Sequence, residues 1–480
     1  MNNLSERLAA LPPEKRTLHD GSRMKARGRE NTQIPRHKRD GTLFPLSFSQ
    51  EQMWFDYQQA PDTPLNHLSI CFTGPLEASL IERCFSEIVR RHETLRTTFR
   101  QMDDTVVQVI SPPQPVKIKM VNLKESESLQ EVEIQQMLIA EAQRPFDLSQ
   151  GPLFRGTLYH FADRESILLL VIHHIIFDAW SGGIFAQEIT TLYQAFFFQR
   201  PSPLPELPIQ YVDYVIWQRE RIEKRLLEKQ ALYWQQQLSG MPKVLALPTD
   251  RPRPIARTVQ GADKKFVLNQ RLTSALRELS QQEKTTLFMI LLAAFKVLLH
   301  RYSGLCDMVI GTPIANRKRA EVKPLLGLFV NYLVLRTEVS GNPTFRELLG
   351  RVRKVTSEAL ANQDYPFQKL VGALREAPLQ AEENLNHHPL FQVKFNLRKA
   401  PTLPADMLIK IDQHVAPDSG TLTFDLYLIL DETDSILNGQ LIYNTDLFDG
   451  TTIQSMIGHF QKLLEEITLN PSEQIANLPM

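Results

Sequence analysis

Neither sign of charge is in surplus in this chain: 54 Lys and Arg are matched by 54 Asp and Glu, for a formal net charge of +0 at pH 7. With no global basic field to attract a polyanion, nucleic acid is not an expected partner. Cysteine is scarce as well. Cys71, Cys84 and Cys306 are scattered without metal-ligand spacing, so no bound metal is expected and a reduced, cytoplasmic protein fits best. Cys84 falls on the apolar face of an expected helix, the ordinary place for a buried thiol. Long apolar runs are also missing. The best candidate, Leu287 to Leu299, is too short to span a bilayer and contains Lys296, so it reads as a core helix and no membrane is expected. The opening residues, MNNLSERLAALPPEKR, lack the apolar stretch of a secretory signal.

What remains is an ordinary globular composition, 42% hydrophobic and 22% charged over 480 residues, long enough for two or more core-forming units. Residues 14–40 are polar and rich in Arg and Lys, and residues 1–42 are assigned to a basic, mobile leader. Helical spacing over Glu77 to His92 sets Leu80, Cys84 and Ile88 on one face. Leu95 to Phe99 and Val106 to Ile110 read as strands around a polar turn, and Leu129 to Ala142 as a second helix. Pro201 to Pro208 and Leu247 to Pro254 are extended connectors, with one long helix, about Tyr211 to Leu238, between them. The lobe boundary is placed there, giving lobes 43–240 and 241–480. The second lobe mixes helices (Thr286 to Arg301, Phe345 to Asn362, Thr451 to Ile467) with strands at Met308 to Thr312 and Asn331 to Val339. Leu422, Phe424, Leu426, Leu428 and Leu430 alternate strictly, which marks a strand with one buried face. The expected class is mixed α/β.

One segment stands out, Ile172-His-His-Ile-Ile-Phe-Asp-Ala-Trp-Ser181. Two histidines close an apolar run that reads as a buried strand, and an aspartate follows four residues after the second. Imidazoles at such a position cost desolvation unless they have partners or a task. Successive strand side chains point to opposite faces, so His173 and His174 divide the work. His174 is the candidate catalytic group, because an imidazole of pKa roughly 6.5 exchanges protons near neutrality.

Further segments extend the pattern. Pro45-Leu-Ser-Phe-Ser-Gln-Glu-Gln-Met-Trp-Phe55, Arg91-His-Glu-Thr-Leu-Arg-Thr-Thr-Phe99, Tyr211-Val-Asp-Tyr-Val-Ile-Trp217 and Gly327-Leu-Phe-Val-Asn-Tyr-Leu-Val-Leu-Arg336 occur in that order. Asn362-Gln-Asp-Tyr-Pro-Phe367 and Asn386-His-His-Pro-Leu-Phe391 follow, with Ile310-Gly-Thr-Pro-Ile-Ala-Asn-Arg317 and Tyr443-Asn-Thr-Asp-Leu-Phe448 in agreement. Together with the double histidine, this ordered set resembles the condensation domains of nonribosomal peptide synthetases. The resemblance implies two chloramphenicol-acetyltransferase-like lobes in a V-shaped pseudodimer around a central tunnel. It implies an acyltransferase-type amide synthase. Donor and acceptor peptidyl or acyl carrier domains would present substrates on phosphopantetheine arms, with no cofactor bound by the domain itself. An adenylation domain is expected adjacent or in trans.

The resemblance also distributes roles. His173 is read as structural, Asp178 as an organising carboxylate, and Arg96 as its cationic partner. Asn331 is a candidate donor near the thioester. Ser181 is read as the N-cap of the following helix, while Ala179, Trp180 and Gly182 would line the tunnel. The family usually has glycine where this chain has Ala179, which matters only if the backbone there needs positive φ. A heterocyclisation domain would carry aspartate in place of His173, and an epimerisation domain fits the opening motif less well. Two other readings stay open: an acyltransferase acting on a small free amine or alcohol, and a non-catalytic module that docks carrier proteins.

Overall fold

The computed structural model describes residues 33–39, 43–59, 67–123, 131–161, 166–242, 244–254, 260–376, 390–399, 408, 410–411 and 424–480. Residues 1–32 of the expected leader and 386–389 of the last motif lie outside these, as do 129–130 and 422–423 at the starts of two expected elements. The first half contains β1 (Leu43–Pro45), α1 (Phe48–Gln59), β2 (His67–Gly74), α2 (Ala78–Arg91), β3 (Thr97–Met102), β4 (Thr105–Ile110), β5 (Lys119–Asn122), α3 (Glu131–Gln143), β6 (Phe154–His160), β7 (Ser166–His173), α4 (Ala179–Phe197), α5 (Tyr211–Glu223) and α6 (Glu228–Leu238). The second contains β8 (Gly261–Leu268), α7 (Gln270–Gln282), α8 (Leu287–Ser303), β9 (Asp307–Ile314), β10 (Asn331–Glu338), α9 (Phe345–Ala361), α10 (Phe367–Glu376), β11 (Val393–Lys399), β12 (Lys410–Ile411), β13 (Leu426–Glu432), β14 (Leu437–Asn444) and α11 (Gly450–Leu469).

In the first half, β7 lies inside a five-stranded sheet ordered β12-β2-β7-β6-β5. Its sequence, SILLLVIH, is apolar on both faces, as a strand covered on both sides requires. One cover is helical: Ile81, Cys84, Phe85 and Ile88 of α2 are buried, and Phe85 meets Phe185 of α4 with ring centroids 5.5 Å apart. Burial pushes the Cys84 thiol up to about 12, so it is an inert core group. The hairpin β3–β4 turns through Asp103, which takes the left-handed φ of 49°.

The second half is built on a six-stranded sheet ordered β10-β9-β11-β13-β14-β8. Leu426, Leu428 and Leu430 of β13 point into the helical core, and Tyr427 lies on the other face in register with Lys394 of β11 and Ile442 of β14. That second face carries much of the polar chemistry described below.

Three expectations need correction. The helix expected over 211–238 is two, because Arg225 adopts φ 56° between them. The break is tertiary in origin: Tyr211, Tyr214 and Val215 join one apolar cluster, whereas Trp234 and Leu238 belong to the core of the second half. The leader is docked over 33–39. Ile34 is buried against Leu207 and Tyr211, and the Arg39 guanidinium bonds both oxygens of Asp213 (2.9 and 3.1 Å) and Glu93 (2.9 Å). The halves also interleave, since β12 pairs with β2 through Lys410 and Thr73, and Leu326 joins the first core.

Lys296 sits fully buried in α8 and donates to the carbonyls of Met308 (3.2 Å) and Leu335 (2.7 Å). Burial pushes its amine from 10.5 down to about 7. Between those values the unfolded chain binds a proton that the folded one does not, so this group's contribution to stability rises with pH across that window. Urea unfolding of the wild type and Lys296→Met should therefore show a stability difference that shifts in favour of the wild type from about pH 7 to about pH 9.5, with a slope of up to about 1.4 kcal/mol per unit. A flat difference would mean that the buried amine stays charged.

Candidate active site

β7 ends at His173, one 3-10 turn runs from His174 to Ile176, and α4 starts at Ala179. His173 faces the first core. Its ring lies 5.6 Å from that of His67 and 6.1 Å from that of Phe146, and its Nδ1 accepts the Ile175 N–H at 3.1 Å. Burial holds its pKa well below the usual histidine value, so it is a neutral acceptor that shapes the turn. Gln50 of the opening motif donates to the Ile175 carbonyl (3.1 Å), and the Thr94 hydroxyl to that of Ile176 (3.4 Å). The turn is thus held from three sides.

His174 departs in another direction and is only half-buried. Its Nδ1 lies 2.5 Å from the Phe177 carbonyl. A carbonyl can only accept, so Nδ1 carries the proton and the neutral ring keeps its lone pair on Nε2. Desolvation lowers the His174 pKa, the Asp178 charge and the Phe177 carbonyl oppose it, and the charge of Lys394 adds to the lowering. The neutral form therefore prevails at pH 7, with Nε2 able to take a proton.

Asp178 is buried, and its partner is Arg317 at 3.1 Å, not Arg96. Arg96 instead reaches the Ser111 carbonyl and, at 3.6 Å, Glu93. Asp178 also caps α4 by accepting the Ser181 N–H (2.8 Å), so the N-cap is Asp178 and Ser181 lies one turn inside. Its other oxygen accepts the Phe329 N–H at 3.0 Å. The Ser181 hydroxyl lies 2.7 Å from Asp178 Oδ1 and 3.0 Å from the Gly327 carbonyl, and accepts from Arg317 (2.9 Å) and the Gly327 N–H (3.1 Å). Arg317 donates further to the carbonyls of Val322 (2.9 Å) and Leu325 (2.5 Å) and lies over the Phe329 ring. Residues 317–329 of the second half therefore clasp the start of α4. Gly327 is needed here: its φ is 155°, and a Cβ would meet the Tyr211 ring at 2.2 Å.

The remaining candidates divide. Trp180 is 48% exposed and donates its indole N–H to the Lys323 carbonyl at 3.3 Å. Ala179 is exposed and helical, outside the residues with positive φ, so alanine is tolerated there without strain. Gly182 would accept a methyl group, with nothing closer than 3.6 Å. Asn331 is fully engaged elsewhere: its amide donates to the Gln363 (3.0 Å) and Tyr365 (2.9 Å) carbonyls and accepts the Phe367 N–H (2.9 Å). Both of its protons are committed, so it ties β10 to α10 and has no donor left for a thioester. Arg317, Gln50 and Thr94 were not singled out from sequence, although all three fall within quoted segments. Nothing in one dimension pairs Arg317 with a carboxylate 139 positions away.

A buried ion pair that loses one member leaves an uncompensated charge, at about 3–5 kcal/mol. Arg317→Leu should lower unfolding stability by that amount in urea melts. The double variant Asp178→Asn/Arg317→Leu should lose less than the sum of the single losses. Arg96→Leu should cost under about 1 kcal/mol, as expected for a partly exposed pair. Equal losses for Arg96→Leu and Arg317→Leu would contradict the pairing.

A family profile described as Condensation domain matches residues 41–480. One of the linear gramicidin synthase proteins of Brevibacillus parabrevis is 43% identical over 447 residues, 91% of this chain and 8% of that protein. Phosphinothricin tripeptide synthetase PhsC of Streptomyces viridochromogenes is 37% identical over 488 residues, 100% of this chain and 44% of that protein. Among solved structures, the X-domain from teicoplanin biosynthesis matches with a TM-score of 0.82 at 26% identity, over 93% of this chain and 99% of that one. The chain thus spans less than half the length of these curated relatives. With a match that runs through both halves and the clasped double-histidine turn, the chain belongs to the condensation domain family.

Proposed function

We propose that this domain forms the amide bond of nonribosomal peptide synthesis, joining an acyl or peptidyl thioester on one carrier to the amine of an aminoacyl thioester on another. The observation that carries this reading is His174: Nδ1 tied to a carbonyl, Nε2 without a partner among the described residues, on a turn held by His173, Gln50 and Thr94 and followed by the Asp178–Arg317 pair. In the reaction the acceptor amine attacks the donor thioester carbonyl, the C–N bond forms, and the C–S bond breaks. The proton leaving the nitrogen passes to Nε2 and from there to the departing thiolate, which leaves as thiol. Positioning of the amine and general-base help are both within reach of one imidazole, the latter worth about 10²–10⁴-fold. The fixed geometry of the turn keeps Nε2 aimed while both arms come and go.

Carrier domains on both sides, an adenylation domain adjacent or in trans, and a cytoplasmic setting complete the reading. A small-acceptor acyltransferase and a docking module would use the same fold without carrier-to-carrier transfer. One reconstitution separates them. A donor carrier loaded with an acyl group and an acceptor carrier loaded with an amino acid are mixed with the domain, and amide product is measured by mass spectrometry. His174→Ala should lower the rate by about 10²–10⁴-fold. Equal product with and without the imidazole removes the assignment, product with a free amine alone favours the small-acceptor enzyme, and carrier binding without product favours docking.

The pH profile offers a second check. Because the His174 pKa lies below the ordinary 6.5, kcat/KM should be level through neutrality and fall as pH drops below that value. An acid limb centred above it would be inconsistent with this half-buried imidazole as base.

A further inference from the structure

Lys394 is a second buried amine, and neither the fold's ion pairs nor the amide-forming step employs it. It lies on β11, only 6% exposed, on the face of the second sheet turned away from the helical core. Among the described residues its Nζ has one polar neighbour, the Tyr332 hydroxyl at 3.4 Å, and otherwise looks onto rings: Tyr427 at 4.2 Å, Phe424 at 4.4 Å and Tyr332 at 4.9 Å. Among the described residues no carboxylate lies within 4.0 Å of it. Other buried cations are provided for. Arg317 has Asp178, Arg91 has Glu188 at 3.0 Å, and Lys296 has two carbonyls. On the same strand face, Arg398 holds Asp431 at 2.7 and 2.6 Å. Beside these, Lys394 is the buried cation with neither a carboxylate nor a carbonyl partner among the described residues.

Its position relates it to the reaction centre. Tyr332 follows Asn331 at the start of β10, three residues after the Phe329 that Asp178 holds. The charge of Lys394 also reaches His174, whose pKa it lowers. A desolvated cation without an anion is costly, and aromatic faces recover only part of that cost. An anion that arrives with the substrate would supply the rest.

We infer that Lys394 is a specificity residue: its ammonium pairs with a carboxylate on the substrate, carried by an acidic aminoacyl side chain on the acceptor or by the terminal residue of the donor. This rests on the function proposed above. A standing carboxylate fits better than a transient oxyanion, because a charge present only during bond formation leaves the amine unpaired for the rest of the cycle. Arg398, on the same strand and matched by its own aspartate, does not compete for the ligand.

The test uses the full chain and non-hydrolysable pantetheine amides of aspartate and asparagine, with binding measured by titration calorimetry. The aspartyl amide should bind about ten-fold tighter than the asparaginyl one to the wild type and to Lys394→Arg, and this ratio should fall to about one in Lys394→Met. Lys394→Gln gives the same reading should the methionine variant melt early. A ratio near one in the wild type, including weak binding of both, overturns the inference. So does a ratio that survives Lys394→Met, or a uniform loss for both amides, which would indicate packing. A turnover arm, with the acid placed on the donor carrier and then on the acceptor carrier, tells which side the lysine reads. Because the binding arm needs no chemistry, failure to form amide would sink the functional proposal while leaving this one to be decided by the calorimetry.

Discussion

A carboxylate from one half of the chain and a guanidinium from the other meet in the interior, and much of the site is arranged around them. Asp178 and Arg317 are both buried, so their attraction acts where water does not screen it, and each must be satisfied on its remaining atoms. Asp178 does so by capping α4 and holding the Phe329 N–H; Arg317 does so at its terminal nitrogens, with two carbonyls and the Ser181 hydroxyl, while its Nε finds no partner among the described residues. The pair therefore fixes two directions at once: where α4 starts and where β10 enters the second sheet. The histidine turn lies immediately before the first, and the Tyr332–Lys394 contact immediately after the second. Hydrogen bonds alone would set these local geometries less firmly than a charge pair that cannot lose either member cheaply.

The two adjacent histidines show how environment, not residue type, assigns chemistry. His173 completes the strand, packs against His67 and Phe146, and accepts from the Ile175 N–H, so its ring is neutral and occupied. His174 begins a 3-10 turn, which rotates it out of the strand's alternation and gives its Nδ1 to Phe177. Only one of the rings keeps a nitrogen for an external proton. The strand period alone separates the two faces; the turn decides which ring is half-exposed.

Much of this is legible in the amino-acid sequence, and the gaps have identifiable causes. Strong periodicity placed α2, α8 and α9 within a few residues, because each buries one stripe or its whole circumference. The turn that carries His174 and Asp178 is also legible, since the apolar run and the turn are contiguous. What failed was long-range pairing. Arg96 stands near the site in sequence logic but takes the Ser111 carbonyl, while the true partner closes a segment 139 positions away. Asn331 looked free because its acceptors are backbone groups of residues 363 and 365, which no side-chain pattern announces. The docked stretch 33–39 reads as solvated for the same reason: the carboxylates that neutralise Arg39 come from two distant elements.

Three buried cations in one molecule meet three different fates, and the comparison constrains what each is for. Arg317 keeps its charge beside Asp178, with two carbonyls and a hydroxyl on its terminal nitrogens; a guanidinium in such a place holds structure. Lys296 lies beside carbonyls only, and its amine is pushed down to about 7, so it can exist as a neutral hydrogen-bond donor inside a core helix. Lys394 shares the burial that lowers a lysine's pKa but, among the described residues, has no carboxylate or carbonyl partner. Rings surround it on the strand face opposite the core, one hydroxyl stands at 3.4 Å, and the histidine feels its charge. A lysine needed only for packing would be replaced at no loss by methionine in that aromatic setting. Retaining the ammonium is sensible only where something negative comes to it, and its charge reaches the His174 imidazole.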